Sequence, residues 1–474
     1  MAIIPVQRMV ELLGPWRRDG VRSERLAAAL RALVLDGQLA VESRLPAERT
    51  LSGSLGVSRA TVTGAYDQLR EQGYIESRQG AGTWVTLPGG HRPAPSDAIV
   101  DPGGGGLDLR ISAMPAPAVL EEIFAAALRE LPRWLDHHGY DPLGLPPLRR
   151  AIAARFEARG LPTRPEQILV TNGALHALDL TLRVTTPRGR RALVELPSYP
   201  AALDALRAAG ARLSPVPVTP RGWDVEAIEA AARQQPPALA YLIPDFHNPT
   251  GRVMDAGARR RAVRTLEGAG ATVVIDETFA ELNLDGVSMP APAAAFGGER
   301  TITVGSLSKA VWGGLRVGWA RADPALIHRL VTARAATDLA SPLFEQIVAT
   351  HTFERLEEIL TERRGVIRIR RAALAAALHA HLPDWSYTVP AGGMYLWTQL
   401  PAPNATSLAL AAAERDVHIT PGPRFAAAGL LERHLRLPFT LAPWQLERAV
   451  RILAELSPPE ARMDQPPRLA QYVA

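Results

Sequence analysis

The 474-residue sequence has no cysteine. That single absence excludes disulfides, thiolate metal sites and cysteine nucleophiles, and it favours a reducing compartment, the cytoplasm. Long apolar runs are also missing: no segment is long and apolar enough to read as a membrane span. The stretch Met1–Gly14 carries Arg8 and Glu11 and does not read as a signal peptide. Lysine is nearly absent, since all but one of the 53 basic residues are arginine and the exception is Lys309. A guanidinium replaces a surface ammonium at little cost, but it stays protonated and cannot form an imine with an aldehyde. A lysine left over by chance would also stand alone, so its surroundings have to decide whether an amine is needed there. Excess charge of one sign is small: a net +5, spread along the chain, permits DNA binding without suggesting it.

What is present begins with organisation. The length exceeds what one core usually organises, and 47% hydrophobic against 21% charged residues is the composition of a folded chain rather than a disordered one. Residues 87–106, LPGGHRPAPSDAIVDPGGGG, combine prolines with a four-glycine run and no hydrophobic period, and they read as a flexible linker. The expected division is a domain over 1–86, the linker over 87–106, a larger domain over 107–458 and a loose tail over 459–474. In the larger domain apolar runs alternate with alanine-rich helical stretches, which predicts an α/β fold with a mainly parallel sheet. The strand candidates are Ile168 to Thr171, Ala192 to Glu195, Leu239 to Ile243, Thr272 to Ile275 and Thr301 to Val304, each continuous enough to be buried on both faces.

In the first domain, Val21 to Asp36 places Leu26, Leu30, Leu33 and Val34 on one helical face. Glu48 to Leu55 reads as a short helix, Gly56-Val57 as a turn, and Ser58 as the cap of a second helix to about Glu71, together a helix-turn-helix. The second helix is expected to bury Val62, Ala65, Tyr66 and Leu69 and to expose Ser58, Arg59 and Thr61 in its first turn, where a recognition helix meets base edges and phosphates. Tyr74 to Ser77 and Thr83 to Val85 pair around the glycine-bearing tip Arg78–Gly82, a wing. These residues resemble the GntR family, whose LP-x-x-R, VSR-x-TV and terminal G-x-G-T-[FW]-V pattern is met over roughly 21–86. The resemblance implies DNA contacts from Arg49, Arg59 and Thr61, then Arg44, Ser58 and Gly80; for Arg49 a structural salt bridge is the alternative.

In the second domain, a set of residues suits a phosphorylated pyridine aldehyde. Holding one takes an amine, an acid opposite the ring nitrogen, a donor at the phenolic oxygen, an aromatic lid and a phosphate cradle. Lys309, in GSLSKAVWGGLRVGW, offers the amine, with Ser306, Ser308 and Arg316 placed to bind the phosphate. Asp276 ends the strand TVVID, where a buried carboxylate would keep the pyridine nitrogen protonated. Asn248, in HNPTG, suits the phenolic oxygen. Gly173 and Ala174 open a helix directly after a strand, so that backbone N–H groups and helix dipole form a phosphate seat. Tyr199, in ELPSYP, could stack over the ring. An aspartate at a strand end often caps a helix and NPTG is a plausible turn, so the weight lies in the ordered set.

The set resembles fold-type I aminotransferases over about 107–457, including YDPLGLPPLRRAIA, AGGMYLW and RLPF. The resemblance implies pyridoxal 5'-phosphate as cofactor, a smaller C-terminal subdomain, Tyr140 reaching the phosphate of a neighbouring subunit's cofactor, and Arg436 binding a carboxylate; a core-edge ion pair is the alternative for Arg436. One departure stands out. Thr278 and Phe279 occupy positions where the family commonly has a tyrosine donating to the phenolic oxygen, which leaves Asn248 to serve alone and should weaken transamination more than cofactor binding.

A GntR-type winged helix linked to an aminotransferase-like domain resembles the MocR group of bacterial regulators. The resemblance implies a domain-swapped homodimer that binds operator DNA and senses the cofactor or an amino compound through an external aldimine replacing that of Lys309. Two alternatives stay open: an active aminotransferase with an accessory DNA-binding domain, and a repressor whose cofactor is purely structural.

Overall fold

The computed structural model describes residues 4–14, 16, 21–35, 38–39, 43–78, 82–86, 106–186, 188–426 and 430–457. Gly80 at the wing tip, the linker apart from Gly106, and the tail 459–474 therefore lie outside the described residues.

The N-terminal part opens with helix α1 (Val6–Leu13), whose buried face is Met9 and Leu13. Sequence analysis does not find it, because an eight-residue amphipathic segment is too short to hold itself helical and needs tertiary packing. Helix α2 (Arg22–Leu35) buries Leu26, Leu30, Leu33 and Val34, the face its periodicity predicts. Helix α3 (Glu48–Leu55) stops at Gly56, which takes φ 61° in the left-handed region that a side chain would resist. Helix α4 (Arg59–Glu71) starts at Ser58, whose Oγ accepts from the Thr61 N–H at 3.2 Å. It buries Val62, Ala65, Tyr66 and Leu69, and the Tyr66 hydroxyl donates to the Pro46 carbonyl at 2.9 Å, tying α4 to the chain before α3. Strands β1 (Ile75–Arg78) and β2 (Gly82–Val85) pair antiparallel as the predicted wing.

This apolar core does not close on itself. The cluster that holds Met9, Leu26, Leu51 and Tyr66 also holds Leu196, Ala426, Leu430 and Leu431 from the larger part of the chain. Beside it Arg8 Nε donates to Asp224 Oδ2 at 3.2 Å. The winged helix is thus packed against the larger domain through the side that carries α1.

The larger part begins with β3 (Leu107–Asp108). Its main sheet comprises β4 (Ile168–Thr171), β5 (Arg191–Leu196), β6 (Arg212–Thr219), β7 (Gly222–Trp223), β8 (Leu239–Leu242), β9 (Thr272–Asp276), β10 (Thr301–Ser306) and β11 (Gly318–Arg321), in the order β4-β11-β10-β9-β8-β5-β6-β7. The five strands β10, β9, β8, β5 and β6 are mutually parallel, as predicted. β11 runs antiparallel to β10 and β4, and β7 antiparallel to β6, so the edges are mixed. β4, β8, β9 and β10 are buried at every residue, which explains why they carry no charged residue except Asp276 at the end of β9. The smaller subdomain has β12 (Ser386–Tyr387), β13 (Tyr395–Gln399), β14 (Val417–His418), β15 (Thr420–Pro421) and β16 (His434–Pro438), where β14 pairs with β3 and the others form one sheet. The helices Leu356–His381 and Pro443–Leu456 pack with that sheet in one core. Among the described residues no helix is long and apolar enough to cross a membrane.

Candidate cofactor site and DNA-reading face

The carboxyl ends of the parallel strands open into a cavity of about 440 Å³. Parallel strands present their C-terminal loops on one side, so residues scattered over a long sequence converge there. Gly173, Ala174, Tyr199, Asn248, Asp276, Ser306, Ser308, Lys309, Arg316 and Arg436 all line this one cavity. Tyr140 does not: it stands at the surface, 60% exposed.

Lys309 lies in the short helix Leu307–Ala310 that follows β10. Its Nζ donates to the Ser112 carbonyl at 2.8 Å and lies 5.8 Å from the Phe279 ring centre. Burial, with Arg436 and Arg316 nearby, brings the amine down to about 8 against the opposing pull of Asp276. Asp276, at the end of β9, accepts from the Thr278 N–H at 2.9 Å on Oδ1 and from the Tyr241 hydroxyl at 2.5 Å on Oδ2. Burial raises its carboxyl above the usual range, and the Thr278 and Tyr241 donors work against that rise. Burial likewise raises the Tyr199 phenol.

The phosphate end is built by close approach of backbone. Gly173 has φ 93° and precedes the helix Ala174–Thr185; a Cβ there would come 2.9 Å from Arg316 Nη2. A Cβ on Gly318 would fall 2.5 Å from the Gly173 carbonyl carbon. Arg316 Nη2 donates to the Asn172 carbonyl at 2.9 Å, and Ser306 Oγ donates to the Val317 carbonyl at 3.0 Å while accepting from the Ser308 N–H at 3.1 Å. Asn172 is itself held by Asp338, which its amide reaches at 2.7 Å. A helix N-terminus, the Ser308 hydroxyl and a guanidinium make a donor set that fits a phosphate, with Ser306 holding the Ser308 backbone beside it.

At the opposite wall Arg436 on β16 is buried, faces Asn248 Oδ1 at 3.4 Å and stacks 5.0 Å over the Phe425 ring centre. Its Nε is buried with no hydrogen-bond partner among the described residues. Nη1 meets Asn248 and Nη2 donates to the Arg110 carbonyl, but no carboxylate among the described residues balances the charge, which fits a ligand carboxylate and weighs against the alternative of a core-edge ion pair. The cavity as a whole therefore fits a phosphorylated pyridine aldehyde together with a carboxylate-bearing ligand. Sequence reasoning did not find Tyr241, the segment Arg110–Ala113, or Ile419–Pro421 with Arg424, all of which also line it. The one signal was a phenol inside the otherwise aliphatic strand β8.

On the winged helix, Arg49, Ser58 and Arg59 are exposed and Thr61 half-buried, although the opposite side is packed on the larger domain. Arg59 lies 3.7 Å from Glu48, and Arg49 enters no ion pair among the described residues. Arg44 bridges to Trp84 and lies against Gly82, where a Cβ would come 2.6 Å from its Nε, so it is fitted to the base of the wing.

Residues 115–453 match the Aminotransferase class I and II family, and residues 22–85 match the Bacterial regulatory proteins, gntR family. The chain is similar to the 2-aminoadipate transaminase of Thermus thermophilus, with 35% identity over 69% of this chain and 83% of that protein. It is similar to the probable rhizopine catabolism regulatory protein MocR of Rhizobium meliloti, with 32% identity over 76% of this chain and 78% of that one. Among solved structures it resembles LysN, the α-aminoadipate aminotransferase of Thermus thermophilus in complex with N-(5'-phosphopyridoxyl)-L-leucine, with TM-score 0.68, 34% identity, and coverage of 74% of this chain and 92% of that one. The aminotransferase relatives depend on pyridoxal phosphate, and so does this fold. The chain belongs to the class I and II aminotransferase family and, with a gntR-family winged helix ahead of that domain, is a MocR-type regulator.

Proposed function

We propose that this regulator senses pyridoxal phosphate or an amino compound at Lys309 and reports its occupancy as a change in binding to operator DNA. Bound pyridoxal phosphate supplies an aldehyde that a primary amine can capture and a ring that accepts electrons. Lys309 would hold the aldehyde, Asp276 would keep a proton at the ring nitrogen, Asn248 would donate to the phenolic oxygen and Tyr199 would cover the ring. Gly173, Ala174, Ser308 and Arg316 bind the phosphate, with Ser306 holding the Ser308 backbone, and Arg436 takes the ligand's carboxylate. Tyr140 serves the neighbouring subunit's cofactor in a homodimer; if that dimer is domain-swapped through residues 87–106, the contact that the winged helix makes with its own larger domain is made with the same surface of the neighbouring subunit instead. Arg49, Arg59 and Thr61, with Arg44, Ser58 and Gly80, contact DNA, which sets the protein in the cytoplasm.

The observation that carries this reading is that one packed core joins the two parts. Leu196, which shares the apolar cluster of the winged helix, lies three residues before Tyr199, and Ala426 adjoins Phe425, which stacks on Arg436. The Ser198 N–H donates to the Phe425 carbonyl at 2.9 Å, so the two contacted segments also hold each other. A shift of the small subdomain around an Arg436-bound carboxylate is thereby felt at the seat of the winged helix, while the recognition helix stays open to DNA. The test is anisotropy of labelled DNA from upstream of the gene, with pyridoxal phosphate and then amino acids titrated in. Ligand-dependent specific binding that disappears in Lys309→Ala is the expected result; unchanged ligand response in that variant sinks the reading.

A second reading, an active aminotransferase with an accessory DNA-binding domain, is favoured by the convergence of Lys309, Asp276 and Arg436 in one cavity and by likeness to the Thermus transaminase. Sustained conversion of amino donors with a 2-oxo acid acceptor, alongside DNA binding indifferent to them, would support it instead.

A further inference from the structure

Tyr241 is buried in β8 and no role falls to it in the proposed function. β8 and β9 are parallel neighbours with Tyr241 opposite Val274. Side chains alternate across a strand, so Asp276, two residues beyond Val274, points to the same side of the sheet as the Tyr241 phenol. The hydroxyl reaches Asp276 Oδ2 at 2.5 Å while the Thr278 N–H holds Oδ1. Asp276 thus takes its protein donors from Thr278, through backbone and side chain, and from the Tyr241 hydroxyl, and both Tyr241 and Asp276 line the cavity.

We propose that Tyr241 is a positioning residue for Asp276: it fixes the carboxylate's orientation toward the cavity and, by donating to Oδ2, limits how firmly Asp276 holds a ring N–H. The inference rests on the reading of Asp276 as the ring-nitrogen partner. A hydrogen bond donated to a carboxylate stabilises its charge and makes it a weaker base. A weaker base holds the pyridinium proton less firmly, and a ring that is less positive leaves the Lys309-linked nitrogen more basic. Phe279, which brings no hydroxyl to the ring, stands on the other side of this balance, so the electronic setting of the cofactor falls to Asp276, Asn248 and, through Asp276, Tyr241. Other charged or titratable groups face this corner. Glu195 of β5 and Tyr199 act on Tyr241 and Asp276, while Arg436 and Arg316 act on Lys309 and Tyr199. Glu195 is already tied to the Trp223 Nε1–H at 2.5 Å and to the Ile243 N–H.

The test reads the holoprotein without substrate: the visible absorption of the bound cofactor is followed against pH and its midpoint recorded. Tyr241→Phe removes one oxygen and leaves the packing. Its midpoint is expected to fall by roughly half a unit or more, because Asp276 then holds the ring proton more firmly. In an Asp276→Asn background the same change should move the midpoint little, as coupling through the carboxylate requires. Tyr241→3-fluorotyrosine, a stronger donor of the same shape, should move it upward, and it keeps the test available if the phenylalanine variant does not fold. An unmoved midpoint in a folded, loaded variant, or an equal shift in the Asp276→Asn background, overturns the proposal. If the wild type itself shows no lysine-linked cofactor band, it is the reading of the cofactor site that fails, a distinct result.

Discussion

At the scale of the residue, Lys309 carries the most chemistry because it must be unprotonated to attack an aldehyde. Its ordinary amine value is lowered to about 8, chiefly by burial. A lowered value means that the neutral form gains as pH rises through 8. Capture of pyridoxal phosphate by the apoprotein should therefore accelerate about tenfold per pH unit below 8 and level off above it. A stopped-flow absorbance profile that is flat between pH 6 and 8 would contradict this. Lys309→Arg keeps the charge and discards the amine, so borohydride should no longer fix the cofactor to the protein. On the DNA side, Arg49 is exposed and outside any ion pair among the described residues. Arg49→Ala should reduce the magnitude of the log–log salt dependence of operator binding by about one if it contacts a phosphate, and relax specificity at one position if it contacts a base.

At the scale of the element, two termini decide two sites. The start of α4 is set by Ser58, which caps it and stands in the exposed turn proposed to meet DNA. Ser58→Ala should lower stability of the winged helix by about 1 kcal/mol. Calorimetry should register that loss, and DNA affinity should fall with it because the first turn of the helix frays. The start of the helix Ala174–Thr185 depends on Gly318 lying flat against Gly173. Gly318→Ala would press a methyl onto the Gly173 backbone, where 2.5 Å is too close for any Cβ. Overpacking of that kind costs about 1–3 kcal/mol, so the Kd for pyridoxal phosphate should rise roughly tenfold or more while saturating cofactor is still captured by Lys309. Unchanged affinity would mean that the cradle does not bear on the phosphate.

At the scale of the whole molecule, the decisive feature is that the core of the winged helix continues into the larger domain. α1 places Met9, 0% exposed, in the cluster that includes Leu430 and Leu431, and Arg8 reaches Asp224. Met9→Asp would bury a carboxylate without a counter-ion and should detach the winged helix. Small-angle scattering should then show a larger radius of gyration, and endoproteinase Asp-N, which has Asp97 and Asp101 to act on there, should cut the 87–106 stretch faster, with cofactor binding retained. If neither changes, α1 is not what seats the winged helix. The same variant asks whether ligand response passes through this contact: detached winged helices should still bind DNA, but without sensitivity to the amino ligand.

The sequence by itself determined the parts whose chemistry is local. Ser58, Gly56 and the wing are written in contiguous residues, because caps and turns depend on neighbours a few positions away. Asp276, Asn248, Gly173 and Lys309 are legible for a related reason: each stands just past an apolar strand, and parallel strands send all such ends to one side. Only the tertiary structure decided what lies opposite what. Tyr241 reaches Asp276 because β8 happens to neighbour β9, Asn172 is steadied by an aspartate 166 positions away, and Arg110 and Arg424 join the cavity from segments with no motif. α1 is helical because α2 and α3 accept its apolar face, while Arg8 and Glu11 on its polar side reach Asp224 and Arg221 of the larger domain. Strand order and domain docking arise from the sum of many weak, long-range contacts, which no short stretch of sequence spells out.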